Sequence, residues 1–434
     1  MSSSLPRVGI LGIPPVALLP FIRDAGFEVV ALWDPNNNQE SEAKFAAKSN
    51  LNIEIEVASY EDEVILHPEI GLLLIFCDPS YHAQIAVKAL GIAKHVFVHP
   101  PASISPAQTQ RMVQSASYYP NLTAVVGGLR CLPAAQEMRR LIEAKFLGDD
   151  DSPLHCDIRL TSPSLVASDA QSKFSWKCRE DMGGGVLNQF GYALIDLGLI
   201  YLLQQRALCV HAVFRTMQRN TPHIKGIRHI TADDVAQVLI ETDRRDCLIS
   251  LNLNTNFSQF SQELSITGSK GQLVLRNAVR LICHELAEWD DVFTLSFLLQ
   301  SLYGRQFNDN SLEEVFYLDT NNLPTSKATK NSSSSSSVAP ELPFVHLQGY
   351  SKMFDLLRTV FDQHDKAKGS NDDEGGNQAI DLLSSFEDAL HVAEIIKAAR
   401  DSSLNKAWVQ VNKDNWTKLL FVLVHRLNKL ELEW

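Results

Sequence analysis

The 434-residue sequence predicts an α/β plus α+β chain: an N-terminal doubly wound parallel sheet, then a C-terminal open, mostly antiparallel sheet. Three observations lead there. Residues 8–100 alternate short β-branched runs with helical segments, the pattern of parallel strands buried on both faces and their crossover helices. Gly12 follows the first apolar run, and Asp34, which ends the second, lies 22 residues further on, the spacing of a β-α-β unit that holds a dinucleotide. From about residue 153 the helices give way to strands joined by short connections.

The elements follow in order. Val8–Leu11 reads as the first strand. Arg7 and the apolar run to Ile22 have the outline of a signal peptide, but Pro14, Pro15 and Pro20 fit poorly in a continuous apolar helix. Phe27–Leu32 then follows at the spacing of a β-α-β unit, which favours the strand. Val29–Trp33, Leu72–Phe76 and Val96–Val98 continue the sheet, with helices at Glu40–Ser49 and Ala83–Leu90. A fifth strand at Thr123–Gly127 precedes an amphipathic helix at Ala134–Lys145. This bounds an NAD(P)-binding, Rossmann-type domain at residues 1–128 and leaves 129–434 to the second domain. There, His155–Thr161, Val210–Arg215, Asp234–Thr242, Cys247–Asn254, Glu263–Thr267 and Gln272–Arg276 read as strands of a meander. Gly268–Gly271 is a turn, and a glycine-rich helix, Val186–Leu203, packs across one face. Polar loops are expected near 325–340, around the serine run Ser332–Ser337, and at 366–377, around Asp372–Glu374. Helices at Pro343–Phe361 and Asp381–Arg400 flank the second loop, the latter carrying the stripe Leu382, Leu383, Phe386, Leu390, Ala393 and Ile396.

A net charge of -12 argues against nucleic acid and anionic membranes as partners, because neutralising phosphates needs clustered Lys and Arg. Beyond the N-terminus, no apolar stretch reads as long and uncharged enough to span a bilayer. Seven cysteines without C-x-x-C spacing point to free thiols in a reducing compartment, hence a cytoplasmic location and no metal site. The acceptor patterns at Asn121, Asn256, Asn331 and Asn415 leave an extracellular, matrix-associated location as the alternative.

The phosphate turn reads Gly12-Ile13-Pro14-Pro15. Gly12 makes a tight turn, but Pro14 stands where the middle glycine of G-x-G-x-x-G/A lets the backbone approach pyrophosphate, and proline has no N–H to donate. Asp34 can accept from the adenosine ribose hydroxyls and repel a 2′-phosphate, favouring NAD over NADP; it is equally readable as an Asp-Pro turn with Pro35. Cys77, Pro79 and His82 border the same crevice. His82 is open to catalysis or to capping and packing. His99, before Pro100 and Pro101, is open to an acid–base role or a place in a rigid loop.

Several stretches resemble one family: Lys94-His95-Val96-Phe97, Leu129-Arg130-Cys131-Leu132-Pro133, Trp176 before Met182-Gly183-Gly184-Gly185, and His223–Thr231. They are similar to the glucose–fructose oxidoreductase and inositol dehydrogenase family, and within it to the animal branch. The likeness is good over 8–290 and looser beyond. It implies a Rossmann domain joined to a domain with a large open sheet, and a homodimer formed through that sheet. It also implies a lysine beside the nicotinamide and an aspartate and histidine that move the substrate proton. Those three positions here are Pro100, Gln189 and Ala193. Gly191 and Asp196 match the family; Asp196 is open to anchoring the helix or touching a ligand.

A pseudo-oxidoreductase that binds or scaffolds is therefore the leading expectation, with NAD or NADP held weakly or not at all. The alternatives are an NAD(P)-dependent enzyme acting on a sugar-like or polyol substrate with a rewired site at His99, His82 or Tyr192, and a secreted matrix-associated protein. The alternating strand Ile249–Asn254 offers a polar face to solvent or a partner.

Overall fold

A computed structural model describes residues 6–14, 18–35, 55–120, 122–149, 154–164, 175–217, 229–243, 247–278, 280–285, 314–318, 346–367 and 382–411. The first sheet takes strands β1 (Arg7–Leu11), β2 (Glu28–Trp33), β3 (Glu56–Val57), β4 (Leu72–Ile75), β5 (His95–Val98) and β6 (Ala124–Val126). Their order is β3-β2-β1-β4-β5-β6, all parallel, the dinucleotide-binding order whose switch point falls between β1 and β4. Helices α1 (Leu19–Asp24), α2 (Glu61–Ile65), α3 (Pro79–Gly91) and α4 (Pro106–Tyr118) connect them.

Both faces of this sheet are buried, which explains the unbroken apolar runs. Leu73, Ile75, Val96 and Val98 face α2, α3 and α4. Val8, Ile10, Leu72, Leu74 and Phe97 face α1 and the distant helix α7 (Leu347–Ala367), through Tyr350, Met353, Phe354 and Leu357. Here α7 runs on through Lys366 and Ala367, where a loop is expected from the sequence; 368–381 lie outside the described residues.

After α5 (Pro133–Glu143), the second sheet comprises β7 (Leu154–Thr161), β8 (Ala207–Arg215), β9 (Val235–Thr242), β10 (Cys247–Asn254), β11 (Ser261–Thr267), β12 (Gly271–Arg276), β13 (Arg280–Glu285) and β14 (Glu314–Leu318). It is mostly antiparallel but not the simple meander expected. β7 lies between β11 and β10 and pairs with β10 in parallel, so the chain leaves the sheet after β7 and returns at its far side. That excursion contains helix α6 (187–202), wound as a π-helix over Leu187–Gly191, an α-helix over Tyr192–Ile195 and a π-helix over Asp196–Leu202. The segment Glu180–Leu202 is apolar enough to cross a membrane by composition, against the sequence expectation. Most of it is buried: Leu187 and Gly191 pack near Leu253, and Gly198 near Ile158.

The chain then returns to the first sheet. β15 (Ser384–Ser385) pairs antiparallel with β6 and leads into α8 (Phe386–Asn405); β16 (Val409–Gln410) closes the edge at β8. Leu382 and Leu383 thus precede α8 instead of opening its stripe. Ser385 and Asp388 form a capping box that fixes its start. The helix expected at Glu40–Ser49, the serine run, Asn121, Asn331, Asn415 and 223–228 lie outside the described residues.

Candidate functional site

The carboxyl ends of β1, β2, β4 and β5 meet at the switch point. Gly12 takes a left-handed φ of 88° there, and a Cβ would stand 2.2 Å from the Cys77 backbone nitrogen, so only glycine fits. Its N–H donates to the Trp33 carbonyl at 2.6 Å. Ile13 is half-buried and Pro14 buried; Pro15 is outside the described residues. Asp34 is buried at the end of β2. Cys77 donates its N–H to Leu11 O at 3.0 Å, and burial pushes its thiol well above the ordinary range. Gly12, Cys77 and Asp34 are therefore brought together as the sequence suggests.

His82 and His99 sit differently. His82 Nε2 lies 2.7 Å from the Cys77 carbonyl and Nδ1 3.0 Å from the Pro101 carbonyl, joining the β4 and β5 exits. Burial brings its pKa down to about 4 despite those carbonyls. His99 stacks on Tyr350 (5.9 Å, 14°) and tilts on Phe76 (5.7 Å). It belongs to a ladder in which His95, Phe97 and His99 meet Phe361, Phe354 and Tyr350 of α7. Its Nε2 is enclosed without a hydrogen-bond partner among the described residues, and burial lowers its pKa to about 3.

The glycine turn brings α6 against these exits. A Cβ on Gly183 would lie 3.3 Å from both Pro79 and Ile104. Gly185 has φ 104°, and a Cβ there would fall 2.1 Å from Asp233 Oδ1. That carboxylate accepts from Leu187 N at 3.2 Å, neutralising the helix start, and pairs with Arg400. Along 187–202 the residues that escape burial are Asn188, Gln189, Ala193 and Ile200. Gln189 and Ala193, four apart, share one face and neither side chain titrates. Gln189 lines a small cavity with Lys177, Gly185 and Thr255. Tyr192 donates to the Ala389 carbonyl at 3.2 Å, and burial raises its phenol well above the ordinary value.

Asp196 is enclosed by protein groups. Arg130 Nε donates to it at 2.8 Å, Ser384 Oγ at 2.9 Å, and the same guanidinium reaches Asp388 at 2.9 Å. Although burial opposes the charge, Asp196 and Asp388 hold Arg130 above its ordinary pKa. This cluster ties the β6 exit to α6 and α8. It settles Asp196 as an anchor and explains Arg130.

A cleft of about 1460 Å³ lies between the start of α4 and α8 and is lined by Ser103, Asn188, Tyr192, Glu394 and Arg400. It holds none of the predicted cofactor residues. Its cations Arg179, Lys397 and Arg400 are each paired with a carboxylate, Asp181, Asp401 and Asp233 respectively. The residues expected to meet a dinucleotide lie instead at the carboxyl edge of the first sheet. There Asp34, buried at the end of β2, stands where the sequence reading expects a partner for the adenosine ribose. At the phosphate end, among the described residues, the Gly12 and Cys77 N–H groups are engaged, Pro14 and Pro79 have none, and Asp78 stands beside them.

Sequence reasoning did not single out Asp78 or Lys177. Asp78 was visible between Cys77 and Pro79 as an Asp-Pro helix start, and Lys177 followed Trp176; neither carried a spacing signal.

Residues 7–126 match the family described as "Oxidoreductase family, NAD-binding Rossmann fold", and 135–274 match the "GFO/IDH/MocA C-terminal domain". The chain is 32% identical to mouse glucose-fructose oxidoreductase domain-containing protein 1 over 412 residues, 94% of this chain and 93% of the other. It is 32% identical to the human domain-containing protein 2, covering 94% of each. Among solved structures, an oxidoreductase domain protein from Kribbella flavida superposes with a TM-score of 0.69 at 17% identity, covering 94% of this chain and 100% of the other. A levoglucosan dehydrogenase in complex with NADH and levoglucosan gives 0.67 at 17%, with the same coverage.

Proposed function

The chain belongs to the oxidoreductase family with an NAD-binding Rossmann fold, the glucose–fructose oxidoreductase and inositol dehydrogenase family, and from that premise we propose that it works by binding or scaffolding, without the family's hydride and proton transfer. One observation carries this reading: the open face of α6, where a proton-moving pair would stand, presents Gln189 and Ala193. Hydride removal from an alcohol leaves a hydroxyl proton that needs an acceptor, and a positioned base contributes about 10²–10⁴-fold. His82 and Tyr192 are committed to backbone carbonyls, and His99 to an aromatic stack, so none is placed to replace the pair. NAD is bound in preference to NADP through Asp34, and weakly.

The test is turnover by the purified chain with NAD⁺ or NADP⁺ across a panel of sugars and polyols. We expect none; robust reduction of either cofactor would overturn the proposal. The competing reading, an enzyme with a rewired site, draws support from Lys177, which shares a cavity with Gln189. If turnover is found and Lys177→Met abolishes it, that reading stands.

Support for a homodimer comes from the second sheet, whose outer face mixes partly exposed Val213, Leu239 and Leu248 with polar neighbours. We assign it to a homodimer contact. Sedimentation should give a dimer that Leu239→Glu disperses. All seven cysteines are free thiols, six of them buried, which suits a reducing cytoplasm. Asn256 is exposed, and a glycan found there would favour the extracellular alternative.

A further inference from the structure

The turn between β4 and α3 forms the floor of the crevice, between the Gly12 turn and the glycine turn. Cys77 touches Gly12 on one side, and Pro79 touches Gly183 on the other. Asp78 lies between them at the N-cap of α3, yet its side chain makes no cap hydrogen bond. The residue is half-buried. Its carboxyl senses Asp34, at the end of β2, and Lys177, ahead of the glycine turn. Asp34 marks the ribose end of the crevice and Lys177 the end beside Gln189, so Asp78 stands along the span that phosphates would cross.

We propose that Asp78 is a specificity-determining residue that disfavours pyrophosphate in this crevice, so that the site prefers a phosphate-free, hydroxyl-bearing ligand of the nucleoside class over an intact dinucleotide. This rests on the reading above that cofactor binding is weak. Three features support it. A carboxylate facing a diphosphate sets like charge against like charge. Among the described residues, four backbone positions offer it no free donor: Gly12 N–H serves Trp33, Cys77 N–H serves Leu11, and Pro14 and Pro79 have none. Asp34 sets a second carboxylate near Asp78: burial and this like charge raise the Asp78 carboxyl above its ordinary value, while Lys177 lowers it.

The experiment is calorimetric titration of the full chain with NAD⁺, AMP and adenosine, compared with Asp78→Asn, Asp78→Ser and Asp34→Asn. Removing the Asp78 charge should tighten NAD⁺ about tenfold, equivalent to ~1.4 kcal/mol. It should tighten AMP less and leave adenosine unchanged. Raising the salt concentration should shrink the gain. Asp34→Asn should weaken all three ligands through the ribose. Asp78→Ser keeps a capping residue and serves if the asparagine variant does not fold. An unchanged or weaker NAD⁺ affinity in both Asp78 variants overturns the proposal. So does an equal gain for adenosine, which would mean a general loosening, and so does the absence of binding in every protein. Turnover by the parent chain would instead sink the proposed function, whichever way the Asp78 comparison falls.

Discussion

Arg130 holds three parts of the chain by one guanidinium. It faces Asp196 of α6 and Asp388 of α8, with Ser384 of β15 closing the ring. Arg130→Met would leave the buried Asp196 without its cation and remove the guanidinium from the partly buried Asp388, and removing one partner of a buried pair costs about 3–5 kcal/mol. A urea titration should show that loss as a lower midpoint; a loss under about 1 kcal/mol would mean the cluster is not buried as described. At this scale the sequence was an uneven guide. Gly12 and Asp34 were legible because a turn and a strand end are local, and glycine's freedom follows from its missing Cβ. The partner of Asp196 was not, because Arg130 lies 66 residues away and only folding brings it near. His82 and His99 also looked alike on the page as histidines at crevice-lining positions. Their surroundings differ: backbone carbonyls around one, an aromatic stack against the other.

At the scale of elements, α6 and α7 decide most. α6 crosses the second sheet with its apolar side and turns Gln189 and Ala193 outward, so restoring the chemistry should need only its open face and the β5 exit. On the proposed reading, the combination Pro100→Lys, Gln189→Asp and Ala193→His should raise cofactor-dependent oxidation of a polyol, measured as NADH absorbance, above that of the parent; no gain would show that these three positions do not by themselves set the activity. α7 covers a sheet whose strands lie hundreds of residues earlier. Phe354 is fully buried, 6.0 Å from Phe97, and Phe354→Ala should cost about 3–5 kcal/mol of stability. Unfolding of the first sheet at an unchanged midpoint would contradict that packing. The expected strands recur within a few residues because alternation and β-branched runs are local signals. Helix α4 and strands β13 and β14 were not anticipated. β7 beside β10 could not be read either, since pairing order depends on contacts between distant segments.

Across the whole molecule, buried histidines set an acid limit. Burial brings His82 and His346 to about 4 and His99 to about 3, all from 6.5, and lowers His391 too. These folded values lie below the unfolded one, so within the window the unfolded chain binds more protons. The stabilisation is complete above about pH 6.5 and is lost as the pH falls towards 4. At ~1.4 kcal/mol per pKa unit, His82, His99 and His346 each contribute on the order of 3 kcal/mol. Urea midpoints should fall steeply from neutral pH to about pH 5, and His346→Gln, which can keep a hydrogen bond to Gln262, should flatten the slope. A flat profile would show that these rings protonate in the folded state. By itself the sequence determined the two-sheet architecture, the family likeness and the presence of Pro100, Gln189 and Ala193 at the positions compared, because periodicity, turn chemistry and side-chain identity are properties of the chain read locally. The tertiary structure alone decided which charges share the crevice, which histidines are enclosed and which helix closes the first sheet. Desolvation and Coulomb fields depend on distance in space, and the order of residues along the chain does not contain that distance.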